Sequence, residues 1–132
     1  MPKIFIKKNT RKIYGTLTFY IDEDDNIATI TYIDIYEAYR GKGLGTFLLW
    51  NLYEYIKNNH PLVQYIELDD CSDHYKKYNN IYRNVGARYL YIKGPEMIWK
   101  IYSRTVINKY KSYKSYKSNT NNKIPYSISL IT

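Results

Sequence analysis

The chain has 132 residues but only six glycines, and three of these stand at Gly41, Gly43 and Gly45, where one hydrophobic period gives way to another. Upstream, Ile27 to Ile35 alternates, with Thr29, Thr31, Ile33 and Ile35 on one side and Ala28, Ile30, Tyr32 and Asp34 on the other, which predicts a strand. Downstream, Leu44, Phe47, Leu48, Leu52, Tyr55 and Ile56 recur at helical spacing until Asn58-Asn59-His60-Pro61 ends the run. Such a hinge requires a sheet with a helix laid against it. Glycines at alternating positions admit backbone conformations closed to other residues and let a ligand approach the main chain. Successive N–H groups leading into a helix form a concave anion site, reinforced by the helix dipole and by Arg40 and Lys42. The expected ligand is a phosphate or pyrophosphate; the plainer alternative is an ordinary glycine-rich turn.

The remaining segments fit around this hinge. Lys3 to Lys7 and Ile13 to Ile21 alternate apolar and polar side chains as strands do, and Asp22-Glu23-Asp24-Asp25-Asn26 is a polar turn suited to a hairpin. Those acids lack the glycine and terminal glutamate of a calcium loop, so no metal site is expected. Val63 to Leu68 is a short strand. A second helix is expected from a cap at Ser72 or Asp73 to a stop at Gly86, then two closing strands, Arg88 to Ile92 and Met97 to Tyr102. The order β-β-β-α-β-α-β-β predicts an α/β (α+β) sheet, and the stretch from Ile27 to Leu68 is a strand–helix–strand crossover.

Hydrophobic residues make up 45% and charged residues 24% of the chain, enough for one core and one domain. A lone cysteine, Cys71, excludes a disulfide framework and a multi-cysteine zinc site. The N-terminus carries charges every few residues, and no apolar run nears the roughly 20 residues that cross a bilayer, so a cytoplasmic protein without a membrane role is expected. The net charge of +8 is unevenly placed. Every acid precedes Tyr102; after it come Arg104, Lys109, Lys111, Lys114, Lys117 and Lys123. This divides the chain into a nearly neutral body, 1–102, and a basic, low-complexity Tyr/Lys/Ser/Asn tail, 103–132. Tyr-Lys-Ser recurs from Tyr110, Tyr113 and Tyr116. That pattern suits either a solvated extension or weak contact with single-stranded nucleic acid, rings stacking on bases. Ile124 to Ile131 has strand character, so a partner or the sheet is a further place for it. The abundance of Tyr, Lys, Ile and Asn is explained equally well by AT-rich codons.

The loop is neither a Walker A motif, since Lys42 precedes its second glycine, nor a dinucleotide fingerprint, since Thr46 stands where a third glycine belongs. What remains is Arg-x-x-Gly-x-Gly, filled by Arg40, Gly43 and Gly45. At this point the chain resembles the GNAT superfamily of N-acetyltransferases, whose coenzyme A loop reads Gln/Arg-x-x-Gly-x-Gly/Ala. An apolar strand residue five before the arginine, Ile35, agrees. So does a tyrosine four before a helix-ending glycine, in Tyr82-Arg83-Asn84-Val85-Gly86. The likeness covers roughly Ile13 to Tyr102. It implies a mixed, mostly antiparallel sheet with a central parallel strand pair, two main helices, and N-terminal helices reduced or absent.

The resemblance implies acetyl-CoA as cofactor and transfer of its acetyl group to a primary amine by direct attack. Its pantetheine would pair with the backbone of Ile33 to Ile35, and its pyrophosphate would sit on the amides of Gly41, Lys42, Gly43, Leu44, Gly45 and Thr46. An N–H near Ile33 or Ile35 would polarise the carbonyl, and Tyr82 would protonate the leaving thiolate. Where relatives place a Glu or His base, this chain has Thr29 and Thr31. Glu67, Asp69, Asp70 and Asp73 are candidates reached through water, though Asp73 and Ser72 equally suit a helix cap. Cys71 and His74 lack the third group a thiol nucleophile needs. Only Lys8 to Lys12 separates the first two strands, where the family places two helices that wall the acceptor site. That side is therefore expected to be open, or completed by a second subunit or the tail, and to suit a protruding lysine or a chain terminus. Ala87 stands where an aromatic is usual. The run Asp69-Asp70-x-Ser72-Asp73, with Asn80-Ile81-Tyr82 and Gly94-Pro95-Glu96-Met97, also looks like acetyltransferase-like proteins of large DNA viruses. Two other functions fit the same residues: a degenerate fold kept as a binding or structural module, and a nucleic-acid-binding protein acting through the tail.

Overall fold

The computed structural model describes residues 2–7, 12–72, 75, 80–118 and 127–131. Its seven strands are β1 (Lys3–Lys7), β2 (Ile13–Asp22), β3 (Ile27–Ile35), β4 (Tyr65–Asp69), β5 (Arg88–Tyr89), β6 (Glu96–Lys100) and β7 (Ser127–Ile131). They form one sheet in the order β5-β6-β4-β3-β2-β1-β7. Every neighbouring pair is antiparallel except β3 and β4, which run parallel. Three α-helices accompany it among the described residues, α1 (Leu44–Asn59), α2 (Ile81–Asn84) and α3 (Arg104–Ser118), with a short 3-10 turn at Glu37–Tyr39. The mixed sheet with one parallel pair is the architecture expected from the sequence.

Cross-strand register sorts the side chains into two faces. Ile4, Leu17, Phe19, Ala28, Ile30, Ile66, Leu68, Met97 and Trp99 are buried together with Leu48, Leu49, Leu52 and Ile56 of α1. The reverse face carries Thr16, Tyr20, Thr29, Glu67, Asp69 and Lys100, of which Tyr20, Glu67, Asp69 and Lys100 are exposed. Burial of the first face supplies most of the driving force for folding.

Four expectations need correction. Strict alternation along β3 fails, because the pairing with β2 shifts register between Thr18 and Phe19, leaving Thr31 as the extra residue. A bulge turns the following residues over, so Ile33 and Ile35 join Ala28 and Ile30 on the core side while Tyr32 faces out. The second helix begins at Ile81 and not near Ser72. Its cap is Asn80, whose Oδ1 accepts from the Tyr82 and Arg83 amides at 2.8 and 3.2 Å; Asp73 and His74 lie outside the described residues. The closing strands are shorter than expected, since Leu90 to Pro95 forms a loop.

The last correction concerns the tail. From Arg104 the chain is helical, and its tyrosine spacing of three brings Tyr110 and Tyr113 onto one stripe. Both rings pack near Trp50 (centroids 5.4 and 6.0 Å), and the Tyr110 hydroxyl donates to Glu54 Oε1. Lys114 pairs with the same carboxylate at 3.3 Å. These two rings are therefore not presented for stacking on bases, whereas Tyr116 is exposed. Beyond α3, β7 adds to the sheet edge beside β1, the placement by the sheet that Ile124 to Ile131 suggested. The rest of that stretch, 119–126, and Thr132 lie outside the described residues.

Candidate active site

The parallel pair holds together only from Ile27/Tyr65 to Thr29/Glu67. Beyond that point β3 and β4 part, and a cavity of about 710 Å³ opens between them. Ile33, Leu68, Met97 and Tyr82 line it from the core side, and Tyr20, Thr29, Glu67, Asp69, Tyr91 and Glu96 from the reverse face.

The edge of β3 facing this gap is legible from one hydrogen bond. The Tyr36 amide donates to the Tyr14 carbonyl on β2 at 3.0 Å. Alternation along an extended strand then turns the peptide groups of Ile33 and Ile35 the other way, toward the gap. The Ile35 carbonyl is taken by Arg40 Nε at 2.7 Å, while Arg40 Nη2 pairs with Asp34 at 3.3 Å. Arg40 thus folds back and braces the loop against its own strand.

Beside it, Gly41 and Gly43 have φ of +79° and +78°, a region that L side chains rarely adopt. A Cβ added to either would meet nothing within 4 Å, so the loop faces open space. Gly43 caps α1 without any side-chain hydrogen bond, and the first helical bond runs from the Phe47 amide to the Gly43 carbonyl. The amides of Leu44, Gly45 and Thr46 are thus first-turn donors with no acceptor inside the helix. This bare cradle fits a diphosphate. Leu44 contributes only its amide, since its side chain is buried in the core. Gly45 lets α1 approach α2: a Cβ there would stand 3.1 Å from Ile81 Cδ1. Lys42 and Lys12 stand near the start of the loop, their ammonium groups 5.9 and 5.4 Å from the Tyr39 ring centroid. Sequence reasoning passed over Lys12, because only the fold brings it to the loop.

Across the gap stands Tyr82, 5% exposed, its ring lining the cavity and its hydroxyl without a hydrogen bond among the described residues. Burial, and then the negative charge of Asp70, pushes its phenol well above the ordinary value. It therefore holds its proton throughout the physiological range. Its position depends on Asp70, which is 2% exposed. One Asp70 oxygen accepts from the Ser72 amide (3.1 Å) and hydroxyl (2.5 Å); the other accepts from Asn80 Nδ2 (2.6 Å) and the Tyr89 hydroxyl. Burial pushes this carboxyl up, but the bonds from Ser72, Tyr89 and Asn80 outweigh it and hold the carboxyl below its usual range. Asp70 is therefore a structural anion, and no longer a candidate base. Glu67 and Asp69 do reach the cavity, as does Glu96, which sequence reasoning missed. Cys71 is exposed and lines it too.

A profile described as the acetyltransferase (GNAT) family matches residues 2–87. The chain belongs to that family, whose members use acetyl-CoA and act on amine acceptors such as proteins or small amines. Among solved structures it is similar to Tetrahymena GCN5, at 16% identity over 76% of this chain and 68% of that one, with a TM-score of 0.55. The spermidine/spermine N-acetyltransferase SpeG of Vibrio cholerae gives 15%, 74%, 63% and 0.56. A Bacillus subtilis acetyltransferase in complex with CoA gives 17%, 68%, 68% and 0.51. The chain thus spans about two-thirds of their length, and at these identities the likeness is one of fold. No curated protein matches the sequence, and the comparisons lend no support to the viral resemblance. No described helix is long and apolar enough to cross a membrane.

Proposed function

We propose that this protein is an acetyl-CoA-dependent N-acetyltransferase acting on a primary amine. The observation that carries the reading is the pairing of an open, amide-lined glycine cradle with a buried, proton-holding tyrosine on opposite sides of one strand gap. Bound acetyl-CoA would supply the acyl group as a thioester. Amides from Gly41 to Thr46 would hold the diphosphate, with Lys42 and Lys12 adding charge. The peptide groups of Ile33 and Ile35 would pair with the pantetheine arm, and an N–H there would polarise the thioester carbonyl. Tyr82 would donate from its hydroxyl to the leaving sulfur. Its raised affinity for the proton makes it a strong reservoir, better at hydrogen-bonding a developing thiolate than at releasing the proton early. Thr29, opposite Glu67 in register, would order the water through which a proton of the amine reaches Glu67 or Asp69.

The test is Tyr82→Phe. Acetyl-CoA binding by calorimetry should persist while turnover falls by about 100-fold or more. Unchanged turnover removes Tyr82 from the reaction. Binding without turnover in the parent protein favours a module that keeps the fold for binding alone.

A further inference from the structure

The cavity carries the opposite charge to the chain around it. Of its sixteen lining residues, Glu67, Asp69 and Glu96 are acidic and none is basic, although the chain as a whole is at +8. None of the three carboxylates makes an ion pair or a side-chain hydrogen bond among the described residues. Asp69 and Glu96 are direct cross-strand partners, and Glu67 lies two residues along β4 on the same face. Like charges directly opposite each other on a sheet are destabilising, so the arrangement lowers stability unless something cationic sits there. The Tyr82 side chain, 5% exposed, lines the same cavity, and its hydroxyl makes no hydrogen bond among the described residues. Exposed rings stand around the carboxylates: Tyr20, Tyr32 and Tyr91 are 43%, 57% and 62% exposed. Such rings attract ammonium and guanidinium groups. Leu90, on the same loop as Tyr91, is 46% exposed and adds to this rim. That shape admits an extended chain as well as a single amine.

We propose that the acceptor is a lysine side chain carried on a basic polypeptide segment, whose neighbouring positive charges fall on Glu67, Asp69 and Glu96. The inference rests on the acetyltransferase reading and names its substrate class. The transfer forms one C–N bond and breaks one C–S bond. The lysine ammonium gives up two protons, one ending on the sulfur and one in solvent. The product side chain is neutral, so it loses part of its hold on the acidic cavity, which favours release.

The experiment measures anisotropy of fluorescein-labelled lysine peptides on the full chain without cofactor. The lysine is flanked by arginine, glutamine or glutamate. The arginine-flanked peptide should bind about tenfold tighter than the glutamine-flanked one, and the glutamate-flanked one weakest. Binding should weaken with salt, on acetylation of the lysine, and by about tenfold in the triple variant E67Q/D69N/E96Q. Glu96→Gln alone, which relieves the facing charges, should melt no lower than the parent and still lose affinity. Equal binding of the three peptides, or an unaffected triple variant, overturns the proposal. So does spermidine binding more tightly than the arginine-flanked peptide, which would make the acceptor a small polyamine. Calorimetry with acetyl-CoA separates the two levels. Cofactor binding without charge preference defeats the proposal alone, whereas no cofactor binding defeats the acetyltransferase reading.

Discussion

The two banks of the strand gap are built from different materials. On the β3 side, the cradle from Arg40 to Thr46 is made of main chain, open to solvent and braced by one arginine. On the β4 side, Asp70 is closed off from solvent and gathers donors from Ser72, Asn80 and Tyr89. One bank offers unsatisfied donors to a ligand; the other has spent its donors on fixing α2. Function on the first bank is thus separable from stability, whereas on the second the two are coupled, because the Asn80 cap that Asp70 orients also sets the direction of Tyr82.

The largest effect should come from breaking the second bank. Asp70→Asn replaces an acceptor oxygen with a donor facing donors, and leaves buried polar groups unpaired. A loss of about 2–4 kcal/mol is expected, or roughly 10 °C in melting temperature. The pH dependence follows from the lowered carboxyl. Its stabilisation is fully present above the ordinary value of 3.8 and is lost as pH falls through the depressed folded value. Melting curves of parent and variant should therefore run parallel above about pH 5 and converge in acid. A gap that stays constant down to pH 2 would mean the carboxylate is not the species held.

Gly43→Ala tests the first bank. At φ +78° an alanine costs about 1–2 kcal/mol. No atom lies within 4 Å of the new methyl, so conformational strain is the whole of that loss. On the proposed reading the methyl would enter the space a diphosphate takes, and acetyl-CoA affinity should fall by more than tenfold, out of proportion to the small drop in melting temperature. Proportional losses would return the loop to an ordinary turn.

This contrast also explains what could be read before the fold was known. A glycine at a left-handed position is a local requirement, visible in one stretch of chain, and so Gly41, Gly43, α1 and most strand positions were legible. The Asp70 cluster joins residues up to nineteen positions apart. Ser72, Asn80 and Tyr89 carry no spacing that announces them, so the sequence suggests a cap at Ser72 or Asp73 where the fold uses Asn80. The bulge at Thr31 was hidden for a related reason: the side chains of β3 read as an unbroken alternation, and only pairing with β2 reveals the extra residue. The packed stripe of α3 was masked by its composition. Tyr-Lys-Ser repeats look solvated until Trp50 and Glu54 are placed against them.

The smallest expected effect lies in that stripe and carries the comparison onto a single helix. Tyr110 and Tyr113 are three residues apart and pack near the same Trp50. The Tyr110 hydroxyl has an acceptor in Glu54, whereas the Tyr113 hydroxyl is buried with no partner among the described residues. Burial, aided by the charge of Glu54, pushes the Tyr113 phenol up to about 12. Phenylalanine keeps the ring in each case and removes only the oxygen. Tyr110→Phe gives up a hydrogen bond to a charged acceptor and should cost about 1.5–3 kcal/mol. Tyr113→Phe relieves a desolvated, unpaired hydroxyl and should be neutral or stabilising by up to about 1 kcal/mol. Denaturant midpoints of the two variants would therefore move in opposite directions, or one would stay still. Equal losses would mean that Tyr113 finds an acceptor in solution and that α3 sits differently against α1.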